Sequence, residues 1–443
     1  MKTLQELNRE YLTLAEQNPA RTKADYEKIV DYMKGSSAIH HGEYVRTCYM
    51  PKIFTSEVFE TFRAEIAVLY GIFRKMMNAY YTDPSYRALF GFPAEMETLI
   101  LGARHELSTL PMARIDFFYN EETGDYKFCE FNTDGTSAMN EDRELHLAQS
   151  LSRVYREFTA EHAGYPCELF DTWVDAFLKI YRRANGLNAV PRVAIADYME
   201  CGTANEFEEF KRHFEAKGVP TIVCDVRELK YDAAARVLTG PGGTPVDAIY
   251  RRAVTSDVMK HYDESAAMLD AARDGAVLLV GDFHTQLVHN KTIFRILQHP
   301  ATIALLDEKE IAYVRAHVPF TTTLDQADLA EVAAHKDRWI LKPQDSYGSK
   351  GIHAGVECDD ETWRRYLAGV DPAEYLLQEF YMPYVTENYG LKDDVYGKYR
   401  YYNLTGVYVY DGVAEGVYSR ASLSPIISSQ YSEKTLPTLI VKV

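Results

Sequence analysis

Residues 113–137 limit what this chain can fold into more than any other stretch. They read Ala-Arg-Ile-Asp-Phe-Phe-Tyr-Asn-Glu-Glu-Thr-Gly-Asp-Tyr-Lys-Phe-Cys-Glu-Phe-Asn-Thr-Asp-Gly-Thr-Ser, two alternating runs around a turn. Successive side chains of a strand point to opposite faces, so Arg114 shares a face with Asp116, and Glu130 with Asn132. A three-residue loop, 122–124, with Gly124 in the left-handed conformation, pairs Glu121 with Asp125. That register sets Asp116 opposite Glu130 and Arg114 opposite Asn132, all four on one face. Carboxylates directly opposite each other destabilise a strand pair, and buried ones need a partner. A hard divalent cation resolves the conflict: Asp116, Glu130 and Asn132 offer the oxygen ligands that Mg²⁺ prefers. Arg114 beside them is placed to stabilise charge on a phosphoryl group in transfer. The alternative is a solvated face held by an Arg–carboxylate network. Ile115, Phe117, Phe118, Phe128, Cys129 and Phe131 favour burial of the opposite face, and with it the metal reading.

The chain has 443 residues, enough for two or three domains, and a net charge of −17. That charge repels phosphate backbones and anionic lipid, so neither nucleic acid nor membrane is expected as the main partner. It is compatible with a cationic amine substrate, though an ordinary acidic protein explains it more simply. The six cysteines are scattered without C-x-x-C or zinc spacing and are expected to be reduced thiols. Met1 to Glu10 lacks the apolar core of a signal peptide, and no apolar run approaches the roughly 18 residues of a membrane helix. The expected compartment is the cytoplasm.

Residues 1 to about 110 read as helices, with Val58, Phe62, Ile66, Leu69 and Phe73 at helical spacing. Helices are expected at 141–159 and 169–184. From Pro191, strands at 192–197, 221–225, 246–251 and 276–281 alternate with helices, among them 205–217, which predicts a doubly wound, mostly parallel sheet. No G-x-G-x-x-G accompanies it. Beyond Asn290 the pattern mixes a helix, 291–298, with strands at 338–342, 375–380, 399–410 and 414–422, the last two joined by an Asp411-Gly412 turn. The expected domains are 1–185, a helical segment plus the hairpin; 186–289, the doubly wound domain; and 290–443, a nucleotide-binding domain.

The third of these carries the nucleotide signals. Lys342 ends a strand and runs into a loop, 344–351, containing Ser346, Gly348, Ser349 and Gly351, where backbone N–H groups can approach phosphate oxygens. It is not a Walker A loop. Lys291 offers a second cation. Gln378 and Glu379 end an apolar strand in a way that suits a purine edge and ribose.

Taken together, these segments resemble the ATP-grasp superfamily, in particular its permuted branch represented by glutathionylspermidine synthetase. The resemblance lies in Arg114-x-Asp116, then Glu130-x-Asn132-x-Asp134, Asn290-Lys291, Ile340-Leu341-Lys342-Pro343 with its glycine loop, and Gly416-Val-Tyr-Ser-Arg420 leading to Leu436-Pro437. It implies a permuted ATP-grasp fold, α/β and α+β, with a helical N-terminal segment and a doubly wound pre-ATP-grasp domain. It further implies that Asp116, Glu130 and Asn132 bind two Mg²⁺ and that Arg114 stabilises the acyl-phosphate and tetrahedral intermediate. Lys291 and Lys342 would hold ATP phosphates under the glycine loop, and Gln378 and Glu379 would meet the adenine or ribose. The implied activity is a carboxylate–amine ligase acting through an acyl-phosphate. The chain departs from the family in lacking an amidase domain with a catalytic cysteine, and in the wording of loop 344–351, which leaves Lys350 without a role. The N-terminal segment matches nothing in the family, so the identities of acid and amine do not transfer.

Asp134, Ser137, Arg251 and Arg420 are further candidates for substrate contact, Arg251 and Arg252 because they end a strand where open α/β sheets place ligands. A surface ion pair is the more ordinary explanation of Arg251 and Arg252. Glu141, Asp142 and Glu144 are placed to receive an amine or simply to start a helix. Rival readings are an ATP-dependent kinase, and a non-catalytic nucleotide-binding protein.

Overall fold

The structure, a computed structural model, describes residues 2–40, 42–345, 350–428 and 433–442. The hairpin forms from strands Met112–Tyr119 and Tyr126–Asn132 at one edge of a six-stranded antiparallel sheet. Its first strand pairs with the long strand Val395–Tyr410, which pairs with Val413–Ser422 and, over its first half, with Val385–Lys392. Lys434–Leu436 completes the far edge. The early hairpin and the end of the chain thus build one sheet.

Alternation divides its faces. Ala113, Ile115, Phe117, Phe131, Val407 and Val409 are buried on the apolar side. The helix Ser56–Thr82 covers them, with Phe62 edge-on to Phe117 and Phe73 edge-on to Phe131 at centroid distances of 5.2 and 5.3 Å. Thr55 starts this helix by accepting a hydrogen bond from the Val58 N–H.

The hairpin pairs Asp116 with Glu130 and Arg114 with Asn132, as its sequence predicts, but its turn differs. The loop has four residues, 121–124, because Asn120 N–H bonds Asp125 O and Asn120 Oδ1 caps the turn. Glu121 leaves the ladder for a buried ion pair with Lys52. The tip is therefore one residue out of the expected register, and a bulge at Cys129 restores it before Glu130. Gly124 has the expected left-handed conformation, φ 78°.

The middle segment forms a four-stranded parallel sheet in the order Leu278–Val280, Ala248–Arg251, Val193–Asp197, Thr221–Asp225. At its switch point Arg251 and Arg252 are buried. Arg251 Nη2 donates to Asp134 at 2.6 Å, and its other nitrogens reach Gly281 O and Ala253 O. Arg252 donates to Thr136 O and Gly135 O. Where such sheets often hold a ligand, this one grips the loop after the hairpin.

A third sheet, Thr321–Thr323, Tyr375–Glu379, Trp339–Pro343, His353–Ala354, is antiparallel throughout. Leu341 and Leu377 back onto the fully buried Trp363 of helix Asp360–Gly369, while Ile340, Lys342 and Gln378 turn the other way. Three expectations need correction, and one hairpin is new: within 1–110, read as helices, Lys52–Thr55 is a strand paired in parallel with Thr438–Val441. Residues 141–159 form two helices, Met139–Gln149 and Arg153–Glu161, because Ser152 caps a new start. Helix 291–298 shrinks to Ile293–Leu297, since Lys291 N–H is bonded to Gln344 O instead. The hairpin through Asp393-Asp394, both with positive φ, was not anticipated. All six cysteines are free thiols, and among the described residues no helix is long and apolar enough to cross a membrane.

Asp134→Ala strands the buried Arg251 guanidinium and should cost about 3–5 kcal/mol in urea unfolding. The double replacement Asp134→Leu with Arg251→Met should recover most of that loss.

Candidate active site

Asp116 occupies the middle of the polar face and has no exposed surface. Its Oδ1 accepts from Arg114 Nε at 2.8 Å. Its Oδ2 accepts from Arg114 Nη2 at 3.1 Å, Asn132 Nδ2 at 3.1 Å and Arg420 Nη2 at 2.6 Å. Two cations thus offset one buried carboxylate. At Arg114 and Asp116 the face is buried rather than solvated.

The neighbouring strand makes room for this pair. Gly406 lies opposite Asp116, and a Cβ there would stand 2.5 Å from Asp116 Oδ1 and 2.9 Å from Arg114 Cδ. Sequence reading overlooked Gly406; its signal is a glycine inside a run of β-formers. Tyr408 and Tyr418 were overlooked too. Tyr408 donates to Ser137 O at 2.7 Å, the carbonyl that also accepts from Arg114 Nη1 at 3.1 Å. Ser137 thus contributes its backbone. The ring of Tyr418 lies 5.0 Å from the Arg114 guanidinium carbon, and its hydroxyl donates to Glu141 Oε2 at 2.7 Å. Burial pushes Glu141 up to about 7 against that hydrogen bond; Glu206 and Glu433 add to the rise and Arg114 opposes it.

Glu130 is the carboxylate with room around it, its side chain 29 % exposed. Lys291 Nζ stands 4.0 Å from Oε2, and Arg420 Nη2 3.9 Å from Oε1. Burial would raise its pKa, but Lys291, Arg420, Arg114 and Lys342 outweigh it and hold the carboxyl down at about 2. Lys342, on the third sheet, is buried and donates to Cys129 O at 3.1 Å. The bulge therefore presents a carbonyl to that lysine. Burial lowers the pKa of Lys291, with Glu130 opposing and Lys342 adding to the fall.

A narrow cleft between the third sheet and the central sheet opens beside Glu130. Phe118, Ile340, Lys342, Gln378, Phe380 and Ile426 are among its walls, and Cys129, Glu379 and Arg420 also line it. Gln378 is buried and donates to Thr321 Oγ1 at 2.9 Å. Gly351 has φ 73°, and a Cβ there would meet Tyr375 Oη at 2.6 Å. Ser346, Gly348 and Ser349 lie outside the described residues.

Of the sequence candidates, Arg114, Asp116, Glu130, Asn132, Lys291, Lys342 and Arg420 converge, with Gln378 and Glu379 along the adjoining cleft. Asp134 and Arg251 do not join them: each is buried against the other at the strand ends of the parallel sheet.

No protein-family model and no curated protein matches this chain. Among solved structures it is similar to a glutathione synthetase-like effector from Globodera pallida, over 100 % of both chains at 13 % identity and a TM-score of 0.60, which shows a shared fold. A putative gamma-glutamylcysteine synthetase from Methylobacillus flagellatus KT aligns over 84 % of this chain and 88 % of its own, at 9 % identity and a TM-score of 0.39. That second likeness is too loose to carry weight.

Gly406→Ala should lower stability by about 1–3 kcal/mol through overpacking, read by urea unfolding. A second outcome concerns pH. Folded Glu141 keeps its proton to about pH 7, whereas the unfolded chain releases it near 4.5. The stability this contributes is fully present below pH 4.5 and is lost as pH rises to 7. Glu141→Gln should therefore lose less stability than wild type between pH 4.5 and 7.5.

Proposed function

We propose that this chain is an ATP- and Mg²⁺-dependent ligase that joins a small-molecule carboxylate to an amine through an acyl-phosphate. The observation that supports this best is the convergence of Arg114, Arg420, Lys291 and Lys342 on Glu130 at the mouth of the cleft. Four cations from four separate segments of the chain suit a polyphosphate. The shared fold is compatible with an ATP-grasp architecture, and we read the order of segments as resembling its permuted, glutathionylspermidine synthetase-like branch.

The donor set fits a hard cation. Glu130 has exposed oxygen to offer and Asn132 adjoins it; Asp116 would join by exchanging one of its arginine partners. Mg²⁺ bound there would neutralise phosphate oxygens and orient them. The chain's own residues do the rest. Lys342 and Lys291 hold the phosphates, and Ile340, Phe380 and Ile426 offer apolar walls to a purine. The acid attacks the γ-phosphorus and ADP leaves, giving the acyl-phosphate. The amine then attacks its carbonyl carbon, phosphate departs, and Arg114 stabilises the oxyanion. The cleft now encloses about 60 Å³, against roughly 300–1,000 Å³ for ordinary ligand pockets. Admitting a nucleotide therefore requires the two sheets to part, and their closing would keep water from the intermediate.

The test is phosphate release from ATP and Mg²⁺ with pooled carboxylates and amines. Release that needs both pools, and falls at least about 100-fold in Asp116→Ala and Glu130→Ala, is expected. Release that needs a hydroxyl acceptor and no amine would indicate a kinase. Turnover that survives both substitutions would remove the hairpin from the chemistry.

A further inference from the structure

An aliphatic amine at neutral pH is an ammonium ion, and its nitrogen attacks an acyl-phosphate only after losing a proton. Amide formation on the polar face of the central sheet therefore needs a proton acceptor close to Arg114. Most carboxyls there are already committed. Asp116 is shared by Arg114 and Arg420, and Glu130 stands among Lys291, Arg420, Arg114 and Lys342. Glu433 lies 3.6 Å from Arg420 Nη1, and Glu206, itself buried, 3.3 Å from Arg252 Nη2. Glu144 pairs with Arg143 and accepts from Tyr32 at 2.8 Å and Ser37 at 3.1 Å. Asp142 is 2 % exposed.

Glu141, in the first turn of the helix Met139–Gln149, is different. It is half-buried rather than shut in, and one side chain joins it to the reaction centre. The hydroxyl of Tyr418 donates to Glu141 Oε2 at 2.7 Å, and the ring of the same residue lies 5.0 Å from the Arg114 guanidinium carbon. Thr435 Oγ1, 3.1 Å from that hydroxyl, is left to donate to the phenol oxygen, which fixes its direction. Burial, with Glu206 and Glu433 adding, pushes Glu141 up to about 7 against the Tyr418 bond and Arg114. Asp142 is its neighbour on the helix. Both forms of the carboxyl are thus populated at neutral pH, as an acceptor that must also release its proton requires.

We propose that Glu141 is the general base of the amine step and the anchor for a cationic amine, which enters beside Tyr418. This rests on the ligase reading. The Glu141 carboxylate takes one proton from the ammonium group. The nitrogen lone pair forms the C–N bond at the acyl carbon while Arg114 holds the oxyanion. The C–O bond to phosphate then breaks, its electron pair going to the phosphate oxygen, and the second nitrogen proton leaves with phosphate. Glu141 returns its proton to water.

Hydroxylamine separates this step from the one before it, because it is uncharged at neutral pH and captures acyl-phosphates as hydroxamates without a base. The full chain, with ATP, Mg²⁺ and the pooled carboxylates, is assayed with hydroxylamine and in parallel with the pooled amines. In Glu141→Gln amine-dependent phosphate release should fall about 100-fold, and hydroxamate formation by less than about twofold. Amine-dependent release by the wild type should rise with pH to a plateau above about 7. That limb should vanish in Glu141→Gln and move to higher pH in Tyr418→Phe, since the bond lost favours the carboxylate. Three results would overturn the proposal. Undiminished amine-dependent release in Glu141→Gln, with hydroxamate made by both proteins, would leave the ligase intact and remove Glu141 from it. Equal losses in the two assays, with an unmoved limb in Tyr418→Phe, would make Glu141 a structural residue. No hydroxamate from the wild type would mean no acyl-phosphate, and the ligase reading would fall first.

Discussion

The carboxylate of Asp116, out of contact with water and shared between Arg114 and Arg420, is the interaction around which this molecule is arranged. A buried charge is tolerated only when its partners are fixed in place. Arg114 is fixed by Ser137 O and the face of Tyr418, and Arg420 lies 3.6 Å from Glu433. These groups come from the hairpin, from the loop after it, and from the end of the chain. None of those segments could hold the arrangement alone, because each supplies charges that need partners from the others.

The remaining architecture keeps that arrangement rigid on one side and open on the other. Behind the sheet, the Ser56–Thr82 helix locks the hairpin with aromatic contacts. Beside it, the parallel domain anchors loop 134–136 through two buried arginines. Arg252 bonds carbonyls of the loop and Arg251 its Asp134 carboxylate, buried contacts that hold a loop more firmly than surface charge pairs do, so both position the site without facing it. The third sheet meets the site through Lys342 and the cleft walls, and the residues that follow Pro343 are tied to the 286–292 segment by Lys291 N–H to Gln344 O and by Gln286 to Asp345.

Much of this was legible in the sequence. Period-two alternation placed Arg114, Asp116, Glu130 and Asn132 on one face, and the strand ends of the parallel sheet were placed to within two residues. Lys291 and Lys342, about 50 positions apart in the chain, were selected as a pair and both lie near Glu130. The hairpin turn was misjudged because local turn preference sees only neighbours in sequence. Lys52, far away in the chain, draws Glu121 out of the ladder, and the bulge at Cys129 absorbs the difference.

By itself, then, the sequence determined which side chains share a face, which segments alternate as strands and helices, and where Gly124 and the Asp411-Gly412 turn reverse the chain. Those properties follow from backbone geometry repeating over a few residues. Tertiary structure alone decided that Arg420 reaches Asp116, that Gly406 must lack a side chain, and that Arg251 and Asp134 neutralise each other away from the site. Each of these joins residues more than 100 positions apart. Such contacts are selected by burial and charge compensation across the assembled sheets, which no local pattern encodes.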